Sequence, residues 1–327
     1  MAGTYSYTFD TVLASHLREV KQKKPREQSY TRNAALMQMQ RTMKMTVDRG
    51  GYIHVNVSAI ETAKGGPYNG ATPVSTAGSE DVHTAQFRRA LYAEPIKILH
   101  SEELDAGGER ALFSIAEHKM QQARRRLENR LATDLWTTSQ VTDGIQGLPI
   151  GITTTPSTGT LGGLSRADYS WWRNKAVTSF GSFGSNLTKL DQISQDVTAD
   201  GGEMWNWGCT DGTTFLRFKN QARSYLQINA SAPKSDGGKR VAEFGFDVVE
   251  FEGKPIVWDR LAISGRMFLM NNEAAKLAVI PGEEFAITEF APMHASGVQG
   301  RIAFIRWAGQ VVYLEPRLLG VADGITA

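Results

Sequence analysis

Few residues in this chain are spaced for chemistry. His100-Ser101-Glu102 has the spacing that opens a zinc deaminase site, but the paired cysteines that complete one are missing, because Cys209 is the single cysteine. His16, His54, His83, His118 and His294 lack the i, i+4 pairing of a metalloprotease helix. Gly237-Gly238-Lys239-Arg240 lacks the upstream glycine and the following Ser or Thr of a phosphate loop, and reads as a surface loop. Gly163-Leu164-Ser165 continues with Arg166-Ala167, so no nucleophile elbow forms. Cys209 follows Trp205, Asn206, Trp207 and Gly208 with no base placed beside it, the pattern of a buried structural thiol. The adjacent acids Glu102-Glu103 and Glu283-Glu284 read as solvated pairs. The expectation is no catalytic, cofactor-binding or metal-ligating residue.

The cationic and aromatic clusters are more informative. Arg124-Arg125-Arg126 with Arg130, and the run from Lys21 to Arg26, could bind phosphates. The helical arginines alternate with Glu117 and Glu128 at ion-pairing spacings, which favours a helix surface facing solvent or another subunit. The N-terminal run is more open to a polyanion. Trp171-Trp172-Arg173 is either a stacking platform or a core or interface anchor.

Several elements must position these groups. Phe9, Leu13, Leu17 and Val20 fall at helical spacing in a short arm, and a basic stretch up to Arg49-Gly50-Gly51 follows with no packed-core signature. From Tyr52 to Ile60, Ile53, Val55, Val57 and Ala59 alternate with polar residues, a strand of about 30 Å. A turn-rich segment from Lys64 to Pro73 leads to a second extended stretch around 85–99, making a long hairpin that needs a surface to lie on. Leu112, Ile115, Met120, Ala123, Leu127, Leu131 and Leu135 define a spine helix over 108–136, roughly 43 Å long. Residues 141–185 are loop-rich; a helix then carries Leu187, Leu190, Ile193 and Val197, and another starts at Asp211-Gly212-Thr213. Strands are expected at 244–251, 255–258, 267–270 and 285–290. A closing hairpin is expected from 301–307 and 310–314 across Ala308-Gly309, its first strand buried on both faces.

The composition sets bounds. With 36 Lys+Arg against 34 Asp+Glu, the net charge of +2 argues against a protein that coats nucleic acid by charge alone. At 41% hydrophobic and 21% charged, 327 residues can bury a core and are expected to form two lobes. The 32 glycines predict many turns. No disulfide is possible and no apolar run approaches membrane-spanning length, so a soluble protein made in a reducing cytoplasm is expected.

This order of elements resembles the tailed-bacteriophage major capsid proteins, the Hong Kong 97 fold. Two local patterns carry the resemblance: Leu161-Gly162-Gly163-Leu164-Ser165-Arg166 to Trp171-Trp172-Arg173-Asn174, and Trp307-Ala308-Gly309-Gln310-Val311-Val312 to Gly320-Val321-Ala322-Asp323-Gly324-Ile325. Glu315-Pro316 departs from the family's usual ending.

The resemblance implies an α+β fold with residues 1–46 as an N-terminal arm, 47–104 as the extended E-loop hairpin, 105–145 with 282–327 as the P-domain, and 146–281 as the A-domain. It implies a structural, non-enzymatic subunit assembling into the hexamers and pentamers of an icosahedral virion head, built in the host cytoplasm. Its implied partners are itself, a separate scaffolding protein, a portal protein, a decoration protein and packaged double-stranded DNA bound without sequence preference; no cofactor and no membrane are implied. Ile53, Val55, Val57, Lys64, Tyr68, Arg124, Arg125, Trp171, Trp172 and Arg173 are the expected subunit-contact residues. Some relatives join subunits by lysine-to-asparagine bonds; no partner for Lys64 can be placed, so an uncrosslinked shell is expected. An encapsulin-like compartment is the alternative shell, and a hydrolase or carbohydrate-binding enzyme using the Trp-rich 171–207 region is the alternative outside the fold.

Overall fold

The structure, a computed structural model, describes residues 33–58, 82–105, 109–226, 248–293 and 299–326. In chain order it contains α1 (Ala34–Thr42), β1 (Lys44–Thr46), β2 (Tyr52–Ser58), β3 (Val82–Arg88), β4 (Ala90–Leu99), α2 (His100–Asp105), α3 (Glu109–Leu135) and α4 (Leu148–Gly151). There follow β5 (Thr160–Leu161), β6 (Leu164–Ser165), β7 (Lys175–Val177), α5 (Phe183–Gly201), β8 (Trp207–Thr210) and α6 (Gly212–Leu226). The chain closes with β9 (Val248–Phe251), β10 (Lys254–Trp258), β11 (Arg266–Met270), β12 (Ala275–Ile287), β13 (Ala291–Pro292), β14 (Gly300–Tyr313) and β15 (Gly320–Asp323). These residues form two compact units, one of 93–129 with 285–306 and one of 33–92, 130–284 and 307–326. The expected arm helix, the Lys21–Arg26 run, the hairpin tip with Lys64 and Tyr68, and the loop at Gly237–Arg240 lie outside the described residues.

The larger unit is built on a six-stranded sheet ordered β7-β15-β11-β8-β10-β9. Its strands are short, and the central ones are apolar on both faces: all four residues of β8 are buried, as are Met267 to Met270 of β11. Helices therefore cover it. α5 buries Phe183, Leu190, Ile193 and Val197, and α6 buries Phe215 and Phe218. α6 starts where the sequence places it, because Asp211 Oδ2 accepts from the N–H groups of Thr213 (3.1 Å) and Thr214 (3.4 Å), a side-chain N-cap. β15 pairs antiparallel with β11 and parallel with β7, so residues 320–323 sit inside this sheet.

Four sequence expectations need correction. The first concerns Ala308-Gly309, which is not a turn: β14 runs unbroken through it. A Cβ on Gly309 would come within 2.4 Å of Ala278 O in β12 and 2.8 Å of the Trp307 ring, so glycine is there for close strand approach. The second is that residues 301–307 are not buried on both faces: Arg301, Phe304 and Arg306 are exposed, and only from Trp307 onward is β14 enclosed. Thirdly, the strand expected at 285–290 begins ten residues earlier, at Ala275, because Ala275, Leu277, Ala278, Val279 and Ile280 are core residues. Lastly, the stretch before Gly50 does pack. α1 buries Ala34, Ala35, Leu36 and Met39, and β1 pairs parallel with β12, Lys44 opposite Leu277 and Thr46 opposite Val279.

The smaller unit holds most of the spine helix. Ala123 and Leu127 of α3 are buried, as are Ile96 and Ile98 of β4 and Ala303 and Ile305 of β14. Thr288 N–H donates to Phe304 O, and the Phe304 N–H donates to Thr288 Oγ1, both at 2.9 Å.

Candidate subunit-contact surfaces

The root of the β2–β3 hairpin is seated on the Leu161–Arg173 segment. β2 and β3 pair antiparallel from Tyr52 opposite Arg88 to Ser58 opposite Val82. Alternation puts Ile53, Val55, Ala85 and Phe87 on one buried face and leaves Val57 half-buried. Beneath them, β5 and β6 form a tight hairpin whose two turn residues, Gly162 (φ +59) and Gly163 (φ +81), both have the left-handed backbone of a type I′ turn. Gln86 N–H donates to Gly162 O at 2.8 Å, and a Cβ on Gly162 would stand 2.9 Å from Ala85 Cβ and 3.0 Å from the Phe87 ring. Gly162 therefore meets two requirements, a positive φ and a backbone pressed against the hairpin.

Buried polar groups fix that seat. Trp172 is fully buried and its indole N–H donates to Leu161 O at 2.9 Å. Arg166, also buried, donates through Nη2 to Ile150 O (3.1 Å) and Gly151 O (2.5 Å) at the end of α4. Burial pushes its guanidinium pKa down, opposed by Tyr313. Asn174 bridges strands of loop, accepting from Thr153 N–H (3.1 Å) and donating to Thr153 O (2.8 Å). Gln310 accepts from Gln146 N–H (2.6 Å) and donates to Arg88 O (2.5 Å), tying the end of β3 to β14. Over this floor, His83 lies 4.7 Å from the Tyr169 ring and 5.3 Å from the Trp171 ring.

The spine-helix arginines are ion-paired. Arg124 pairs with Glu128 at 3.0 Å, four residues on, and its guanidinium lies 4.9 Å from the centre of the Phe285 ring. Arg126 pairs with Glu94 at 2.6 Å, and Lys119 pairs with Glu102 while donating to Lys97 O at 2.8 Å. Arg125 is half-buried. In the larger unit Arg130 meets Asp134 at 3.2 Å, and Asp134 also accepts from the Tyr92 hydroxyl at 2.8 Å. Helix surface and ion pairing thus explain this cluster without a ligand.

Of the expected contact residues, Trp171, Trp172 and Arg173 come together with the hairpin that carries Ile53, Val55 and Val57. Arg124 and Arg125 belong to the other unit. Sequence reasoning placed Gly162, Arg166, Asn174 and Gln310 within the two local patterns but missed their role as supports, which depends on partners distant in the chain. Cys209 is fully buried in β8, and burial, with the Asp259 carboxylate nearby, pushes its thiol well up. Among the described residues no group of His, Cys, Asp or Glu could hold a metal ion, and no helix is long and apolar enough to cross a membrane.

The described architecture is that of virus-capsid and encapsulin shells: the chain has the Hong Kong 97 fold, in the α+β form expected from its sequence. In particular it superposes on the capsid asymmetric unit of cyanophage A-1(L) with a TM-score of 0.64 and 13% identity, over 96% of this chain and 98% of that one. An encapsulin complex from Synechococcus elongatus gives a TM-score of 0.59 at 12% identity, covering 96% and 95%. The capsid of a native GTA particle gives 0.56 at 10%, covering 93% and 95%. No family model and no curated protein matches the sequence.

Proposed function

We propose that this protein is the major capsid protein of a tailed bacteriophage, a structural subunit that self-assembles into hexamers and pentamers of a head enclosing double-stranded DNA. The observation that carries the reading is the end-to-end superposition on a cyanophage capsid subunit, 96% of one chain on 98% of the other. The two-stranded β2–β3 ribbon supports it too, since an isolated two-stranded hairpin is marginal in water until its face is covered. In this reading residues 47–104 reach a neighbouring subunit, 105–145 and 282–327 form the P-domain around the spine, and 146–281 form the A-domain, to whose sheet β15 returns. Residues 1–46 form the arm. Lys64, Tyr68, Trp171, Arg173, Arg124 and Arg125 are proposed contact residues, with Ile53, Val55, Val57 and Trp172 holding the contact surface in shape. The partners are further copies of the chain, a separate scaffolding protein, a portal, a decoration protein and packaged DNA; no catalytic role is proposed.

An encapsulin-like compartment is the second reading, favoured by the Synechococcus shell among the neighbours. Electron microscopy of the purified protein tests both. Closed shells or capsomer rings are expected, with DNA co-purifying from infected cells. A co-purifying cargo protein in place of DNA selects the compartment, and a monodisperse monomer at high concentration sinks both.

A further inference from the structure

In the larger unit, a short polar chain docks the turn between β9 and β10 on α5. Glu252 (φ +52) and Gly253 (φ +73) both have left-handed backbone, so the two strands reverse through a two-residue type I′ turn. Glu252 Oε2 accepts from Ser194 Oγ of α5 at 2.6 Å, and Ser194 Oγ accepts in turn from the Trp205 indole N–H at 3.1 Å. Ser194 and Trp205 are buried while Glu252 is exposed, so the chain is enclosed at its inner end and meets water at its outer one. A residue with a Cβ adopts a left-handed backbone at a cost, which the charge-assisted bond to Ser194 offsets.

Asp191 precedes Ser194 by three residues on α5, the spacing that sets side chains next to one another on a helix face. The hydrogen bond to Ser194 therefore brings the Glu252 carboxylate to Asp191. Burial first, and Glu252 second, push the Asp191 carboxyl pKa up. Lys254, the cation beside the turn, lies 5.1 Å from the centre of the Trp205 ring, its Nζ enclosed and without a hydrogen-bond partner. Burial pushes the Lys254 pKa down against the attraction of Glu252. The other charged groups on the elements around α5 are engaged elsewhere or exposed. Arg217 of α6 donates to Ile325 O at 3.2 Å, Asp323 of β15 pairs with Arg266 at 2.7 Å, and Arg317 approaches Glu315 at 3.5 Å. Lys175 of β7 and Lys219 of α6 have interactions of their own. Lys189 of α5 donates to Ser179 O (2.8 Å) and Phe180 O (3.0 Å), and Asp196, Glu203 and Glu250 are exposed.

We propose that Asp191 and Glu252 form an acid-tightened clasp: with Asp191 ionised the two carboxylates repel and loosen the β9–β10 turn from α5, and with Asp191 protonated the turn is held. A carboxyl that takes up its proton more readily in the folded chain contributes stability that grows as pH falls toward the ordinary carboxylate value of about 3.9, and that is lost as pH rises through its folded value. β10 is the sole ladder partner of β9 among the described residues, so the loosening falls on a sheet edge, where local opening is least costly. The clasp belongs to the larger unit and does not rest on the capsid reading.

The test measures hydrogen exchange of the purified full chain from about pH 7.5 down to about pH 4.5, with the chemical exchange rate of a free amide divided out at each pH. Protection of residues 248–256, and of α5 around Ser194, is expected to rise about twofold to fivefold toward the acid end, the scale of a partly exposed ionic contact. Asp191→Asn carries no charge at any pH and should hold the acid level of protection throughout. Glu252→Gln keeps an acceptor for Ser194 and should flatten the profile as well, so either variant serves if circular dichroism shows the other unfolded. Asp259 titrates in the parent and in both variants and cancels from the comparison. The clasp is overturned if protection of the turn in the parent does not change with pH, or if it rises equally along the whole chain. It is also overturned if folded Asp191→Asn retains the parent's profile.

Discussion

Gly162 and Asp259 show how single positions bear the architecture. At Gly162, alanine would have to adopt φ +59 and push its Cβ into Ala85 and Phe87. The left-handed backbone alone costs about 1–2 kcal/mol for a residue with a Cβ. Gly162→Ala should therefore lower stability by about 2–3 kcal/mol in urea unfolding, while Gly163→Ala, with nothing near its Cβ, should cost only the backbone part. Asp259 is 1% exposed and accepts from Ala35 N–H and Leu261 N–H, both at 2.9 Å, which anchors the start of α1. Burial raises its pKa despite those hydrogen bonds. The folded protein then takes up this proton before the unfolded chain does, so the group's contribution to stability improves as pH falls from its raised value toward the ordinary carboxylate value of about 3.9, and is lost as pH rises again. Denaturation midpoints of the parent relative to Asp259→Asn should accordingly rise between about pH 7 and about pH 4; a constant difference would remove Asp259 as the cause. The residue types at both positions were visible in the sequence, but their roles were not. An aspartate after Trp258 carries no mark of the distant N–H groups it will meet, whereas Asp211 was legible as a cap because its partners are two and three residues away.

Elements with a strong local period were legible, and those set by distant partners were not. The spine helix and the alternating β2 lie within two residues of where spacing puts them. β14 was misread because Ala308-Gly309 has the composition of a turn, while its conformation is dictated by the Ala278 carbonyl of another strand. α1 was missed since Ala34-Ala35-Leu36-Met37-Gln38-Met39 is short and flanked by basic residues, with burial decided by the lobe it packs on. Its contribution can be measured. Met39→Ala removes a fully buried side chain and should cost about 2–5 kcal/mol. A loss below about 1 kcal/mol would mean that α1 is peripheral.

For the molecule as a whole, the near-balance of 36 basic and 34 acidic residues fits the proposed self-assembly: copies can complement one another without a polycationic surface. With one buried cysteine, and with no partner for Lys64 legible in the sequence, the proposed assembly is expected to be non-covalent. Shells boiled in denaturant should run as one band near 36.0 kDa, and a ladder of multimers would contradict this. The position of β15 has a consequence for the timing of biosynthesis. It lies between β7 and β11 in the six-stranded sheet, although β7 is translated far ahead of it. Until residues 320–323 have been made, β7 and β11 lack the strand that pairs with both of them. A chain cut short of residue 320 would thus leave the facing edges of β7 and β11 without their ladder partner, and open strand edges of that kind invite pairing with other chains.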